Sequence, residues 1–233
     1  MKLKELVKSY KDSVCALPGI ETIFLNSGLV NRYAILDFGF FPLGSGIFKR
    51  EMSKIDEAEI DKCDVMVLGN DFGTQEYIDK KCTGNKESLT NPTIRNLLKG
   101  LELNEDNTFF TNLFLGLRRG GTNTKRAAKI KDDYKDVCFN FFKVQLEFIN
   151  PKVVLCLGKD VGDTLSAFPA FGQFKTGIAK MFGENNKRDY IVTTDDDFFG
   201  QRKFILIPHP SFAHINWSKN NTKQKIMDAL LSE

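Results

Sequence analysis

At 233 residues, with 42% hydrophobic and 12% aromatic content, the chain can bury a large core and still fall within the usual size of one α/β domain. The charged fraction of 27%, net charge of +3 and pI near 8.5 permit an anionic partner without requiring one. No apolar run reaches the roughly 18 residues that a membrane span needs, and residues 1–19 mix Lys and Glu through their apolar positions, unlike a signal-peptide core. These features predict a cytoplasmic protein with no membrane partner. Cys15, Cys63, Cys82, Cys138 and Cys156 are scattered, form no CxxC pair and have only two histidines to help them. Reduced, buried thiols are expected, with no metal and no other cofactor.

In chain order, Leu3, Leu6, Val7 and Tyr10 recur at helical spacing until Pro18-Gly19, which predicts a short amphipathic helix. Ile23 to Leu25 and Tyr33 to Phe41 are β-branched and aromatic enough for strands, with Asn26-Ser27-Gly28 as the turn between them. From residue 64 short apolar runs alternate with longer helical stretches. Val65 to Leu68, Thr108 to Asn112, Val153 to Leu157 and Phe204 to Ile207 suit strands buried on both faces of a parallel sheet. Helices are expected over Thr93 to Leu101, Ile130 to Ile149, Asp160 to Phe168, Ile178 to Phe182 and Asn221 to Leu231. The polar stretch 183–201 reads as a hairpin or loop insertion. The predicted architecture is α/β, with a mainly parallel four-stranded sheet covered by helices on both faces.

Ligands of open parallel sheets bind outside the carboxyl ends of the strands. The residues following the four runs are Gly69-Asn70-Asp71-Phe72-Gly73, Asn112, Gly158-Lys159 and His209-Pro210-Ser211. A glycine, a carboxylate, a carboxamide and an imidazole are thereby predicted to converge on one rim.

Those segments resemble the uracil-DNA glycosylase superfamily. Val67-Leu68-Gly69-Asn70-Asp71 resembles its first motif, and Gly73-Thr74-Gln75-Glu76 the variant found in its iron-sulfur families. Ile207-Pro208-His209-Pro210-Ser211 resembles its second motif, an apolar strand ending in His-Pro-Ser. Asn91 to Lys99 resembles a proline-led helix start, Phe110-Thr111-Asn112 a base-reading strand end, and Pro151 to Gly158 a structural strand. The resemblance runs from Val65 to Trp217 with the motifs in order. It implies a three-layer α/β/α glycosylase-like domain over 1–233, with 1–63 as an N-terminal extension packed on it. It also implies a monomeric hydrolase that removes uracil or a related deaminated base from DNA. Three departures stand out. Of the four cluster cysteines only Cys138 has a counterpart, so no cluster is expected. Between Gln75 and Asn91, where a ring to stack on the extruded base belongs, the only aromatic is Tyr77, and another alignment places Glu87 there. Phe72 stands where many relatives have proline.

Cleaving an N-glycosidic bond develops positive charge on the sugar and negative charge on the departing base, so fixed charges and dipoles suit the task. In this reading Asp71 orients the water and steadies the oxocarbenium ion; its plainer reading is a turn or helix-capping residue. His209 donates to the uracil O2 as the base leaves, for which a neutral imidazole suffices. The Asn112 carboxamide matches the N3–H and O4 edge of uracil and opposes that of cytosine, or simply closes its strand. Asn70, Phe72 and Gln75 join it as base-binding candidates. Thr93, after Pro92, can bind a backbone phosphate at a helix start. Arg118, Arg119, Lys125 and Arg126 lie in a basic run with no acidic residue until Asp132, and Ser211 and Phe212 follow the His motif; these are the remaining DNA-binding candidates. Two competing readings stand beside catalysis. One is an inactive relative that only binds nucleic acid. The other, a nucleotide-binding protein, is disfavoured because 69–73 has neither a Walker-type Lys nor a GxGxxG run.

Overall fold

The computed structural model describes residues 3–14, 20–21, 63–71, 90–104, 107–114, 117–118, 132–176, 190–210 and 221–232. Five α-helices occur among them: α1 (Leu3–Val14), α2 (Thr90–Gly100), α3 (Asp132–Ile149), α4 (Gly158–Leu165) and α5 (Thr222–Leu231). The strands are β1 (Ile20–Glu21), β2 (Val65–Asp71), β3 (Thr108–Phe114), β4 (Leu117–Arg118), β5 (Val153–Leu157), β6 (Ile191–Thr194) and β7 (Arg202–Ile207). A short 3₁₀ helix covers Pro169–Thr176.

The central sheet has the order β3-β2-β5-β7-β6, with β2, β5 and β7 mutually parallel and β6 antiparallel to β7. The fold is therefore α/β with a mostly parallel sheet, but with five strands rather than four. The added strand comes from the polar stretch 183–201. It reads weakly because an edge strand shows one face to water: Val192 and Thr194 are buried while Thr193 is exposed, leaving only Ile191-Val192 as an apolar pair. A separate two-stranded pairing joins β1 to β4.

The described residues form two compact units. One contains 63–70, 90–104, 107–109, 151–176, 190–210 and 221–232. Its strands are continuous apolar runs because both faces are covered: Val154, Leu155, Cys156, Phe204, Ile205, Leu206 and Ile207 are all buried. Phe171 meets Phe199 and Phe204 edge-on at 4.8 Å, a geometry that sets the positive ring edge on the negative ring face. At the end of α5, Lys203 Nζ donates to the Ala229 carbonyl at 3.1 Å and also to the Ser232 carbonyl, placing a cation at the negative end of the helix.

The other unit contains 3–14, 20–21, 71, 110–114, 117–118 and 132–150. Here α1 lays Leu6 and Tyr10 inward, and Tyr10 meets Phe141 of α3 edge-on at 5.8 Å. The α3 helix stops at Asn150, whose φ of +50° is left-handed and whose successor, Pro151, has no N–H with which to continue a helix. The predicted strands at 23–25 and 33–41 and the helix at 178–182 fall outside the described residues. No helix among the described residues is long and apolar enough to cross a membrane.

Candidate active site

The β2 strand runs two residues beyond its apolar stretch. Val65 to Gly69 are buried, and Asn70 and Asp71 emerge half-buried at its carboxyl end. Register carries this edge across the sheet: Leu68 pairs with Cys156, and Leu157 with Ile207. Asn70, Gly158 and His209, which belong to the same unit, therefore leave parallel strands at one edge.

His209 lies two residues past β7, half-buried between Pro208 and Pro210, both of which are buried. Burial pushes its imidazole below the ordinary histidine value, while the negative charge of Asp160 on α4 pulls it back upward. At neutral pH the ring is accordingly neutral, a form that offers one N–H donor and one acceptor. Beneath it, β5 passes into α4 with no intervening loop through Gly158, whose φ is +84°.

Asp71 belongs to the other unit. Its charge is felt by Tyr134 of α3, a phenol held protonated far above its usual range by burial first, and then by Cys138, Tyr10 and Asp71. Cys138 is buried one turn along α3 and shares a side-chain hydrogen bond with Tyr134. In the same unit Asn112 is 5% exposed, and its strand continues two residues beyond the predicted end, to Phe114. The preceding residue, Thr111, donates its hydroxyl proton to Gln145 Oε1 on α3 at 2.6 Å, with both side chains fully buried. Gln145 Nε2 has no hydrogen-bond partner among the described residues.

Thr93 is half-buried, and it is the fourth residue of α2 because the helix begins at Thr90. Arg118 pairs through its backbone with Ile20 in the β1–β4 ladder. Phe72, Gln75, Arg119, Lys125, Arg126, Ser211 and Phe212 lie outside the described residues. Among the described residues no group of three or more His, Cys, Asp or Glu is arranged to hold a metal ion. Tyr134 and Asp160 are not among the sequence candidates and carry no local signal in the chain, whereas Gly158 is marked there only as the glycine directly following an apolar run.

The family model of the Uracil DNA glycosylase superfamily matches residues 56–231. No curated protein matches the chain.

Proposed function

The chain belongs to the uracil-DNA glycosylase superfamily, and from that premise we propose that it hydrolyses the N-glycosidic bond of uracil, or of a related deaminated base, in DNA. The observation that carries this reading is the coincidence of the matched region with a carboxyl sheet edge bearing Asn70 and a neutral His209. Asp71, the last residue of β2, holds the attacking water and offsets the charge of the oxocarbenium ion. His209 donates its N–H to the oxygen on which the leaving base gathers charge, and a neutral imidazole can do so without giving up a full proton. Asn112 supplies a buried carboxamide that accepts from N3–H and donates to O4. Asn70, Phe72 and Gln75 complete the base pocket. Thr93, Arg118, Arg119, Lys125, Arg126, Ser211 and Phe212 hold the DNA. An extruded base costs a few kcal/mol of unstacking, which contacts to the strand offset.

The test is single-turnover cleavage of oligonucleotides carrying uracil or other deaminated bases, read as abasic-site formation. Asp71→Ala and His209→Ala should each slow cleavage by about a hundredfold or more. Wild-type rates in both variants, with circular dichroism unchanged, would remove these residues from the chemistry. The absence of a stacking aromatic between Gln75 and Asn91, other than Tyr77, favours one second reading, a relative that binds DNA without cleaving it. Binding with no cleavage of any deaminated base would establish that alternative.

A further inference from the structure

We infer that Gly158 is the positioning residue for His209: its missing side chain is the space in which the base of the histidine side chain sits. The role in catalysis rests on the proposed glycosylase reading, whereas the contact itself does not. A Cβ placed on Gly158 would lie 2.8 Å from His209 Cβ, 3.3 Å from Cδ2 and 3.4 Å from Cγ. The first distance is shorter than real Cβ contacts allow. Because the nearest atom is His209 Cβ, next to the main chain, rotation of the imidazole cannot relieve the clash.

Main-chain movement is restricted as well. Pro208 and Pro210 flank His209, both buried and both with φ locked by their rings. The β5–β7 ladder pairs residues up to Leu157 and Ile207, immediately before the contact. Gly158 is further required by its own backbone, since a φ of +84° is one that side chains rarely adopt. Any side chain at 158 must therefore push His209 off the sheet edge, and displacements well under 1 Å already matter to a donor that must meet a developing charge.

The experiment compares Gly158→Ala with a control, Gly200→Ala. Gly200 also has a left-handed φ, +64°, but its added Cβ would meet the far end of the long Arg202 side chain, not His209. The chain has only two histidines, so histidine-selective NMR resolves His209 with His214 as an internal reference. Gly158→Ala should move the His209 ring signals and slow cleavage about tenfold or more with little change in KM. Gly200→Ala should leave the His209 signals in place. His209 signals and titration identical to wild type in folded Gly158→Ala would overturn the inference. If Gly158→Ala does not fold, the same substitution is made beside His209→Gly, which removes the clashing Cβ. Gly158→Ala should then cost much less stability than in the wild-type background, and an unchanged cost would overturn the inference. The two readings fail separately. A wild-type protein that cleaves nothing ends the glycosylase reading, while an active wild type matched in rate by folded Gly158→Ala ends the positioning role alone.

Discussion

Replacing Thr111 by Val tests whether the buried polar pair behind β3 is as finely balanced as its geometry implies. Valine has nearly the shape of threonine, so the substitution opens little cavity and changes mainly hydrogen bonding. Among the described residues Gln145 Oε1 accepts from Thr111 Oγ1 at 2.6 Å and Nε2 has no partner, although the side chain is fully buried. Removing the threonine proton leaves the whole carboxamide unsatisfied in the core. Burying a polar group without its partner costs about 1–3 kcal/mol, so a loss of about 2 kcal/mol is expected. For a chain of this length that corresponds to a fall in Tm of about 4–8 °C. Adding Gln145→Met removes the stranded amide at similar volume and should bring stability back to within about 1 kcal/mol of wild type. Urea unfolding of the wild type, both single variants and the double variant gives the coupling directly. A Thr111→Val loss below about 0.5 kcal/mol, or strict additivity in the double variant, would refute the argument.

Three further outcomes follow from charges and buried groups. Burial disfavours the imidazolium of His209, so on acidification the unfolded chain takes up this proton first; stability should fall as pH drops below about 6.5 and level off below the lowered folded value. His209→Asn should flatten that segment of the stability profile, and Asp160→Asn should lower the His209 midpoint further in NMR titration; an unmoved midpoint would remove Asp160 from the site. Asp64 is held below the usual carboxylate range by the amide of Asn107 at 2.8 Å and by Lys152 at 3.2 Å. Its contribution is present above the ordinary carboxylate value and lost as pH falls through the lowered one, so Asn107→Ala should raise its titration midpoint, and no rise would show that the hydrogen bond is not the cause. Lys203→Met keeps the stem but removes the charge at the end of α5 and should cost about 0.3–1 kcal/mol in thermal unfolding, with no loss arguing that the carbonyls are equally well served by water.

The parallel strands were legible because a strand covered on both faces must be apolar along its whole length. The run Val153 to Leu157 coincides with β5, and the run Phe204 to Ile207 falls short of β7 only at Arg202 and Lys203, whose half-buried side chains look polar in the chain. The same rule hid β6, where exposure of alternate residues leaves too short an apolar run. Helix starts slipped for local reasons. The α2 helix begins at Thr90, ahead of Pro92, because proline is tolerated in a first turn where its missing N–H has no partner to lose. The α4 helix begins at Gly158 rather than Asp160, since a glycine after a strand reads as a turn whether or not a helix follows at once.

His209 can be singled out in the chain because it follows an apolar strand and opens a His-Pro-Ser run, but the residues that tune it are about fifty positions away. Gly158 and Asp160 reach it only through the register of β5 against β7, in which Leu157 faces Ile207. Reading the sequence predicts that both strands end at one edge but not which residues are level there. A shift of one residue would bring Lys159 to the position that Gly158 occupies and turn every side chain of the strand to the opposite face. A lysine there would set a Cβ against the base of the His209 side chain. The placement of His209 at the sheet edge therefore depends on a register that the burial of Val154, Leu155, Cys156 and Leu157 enforces from inside the core.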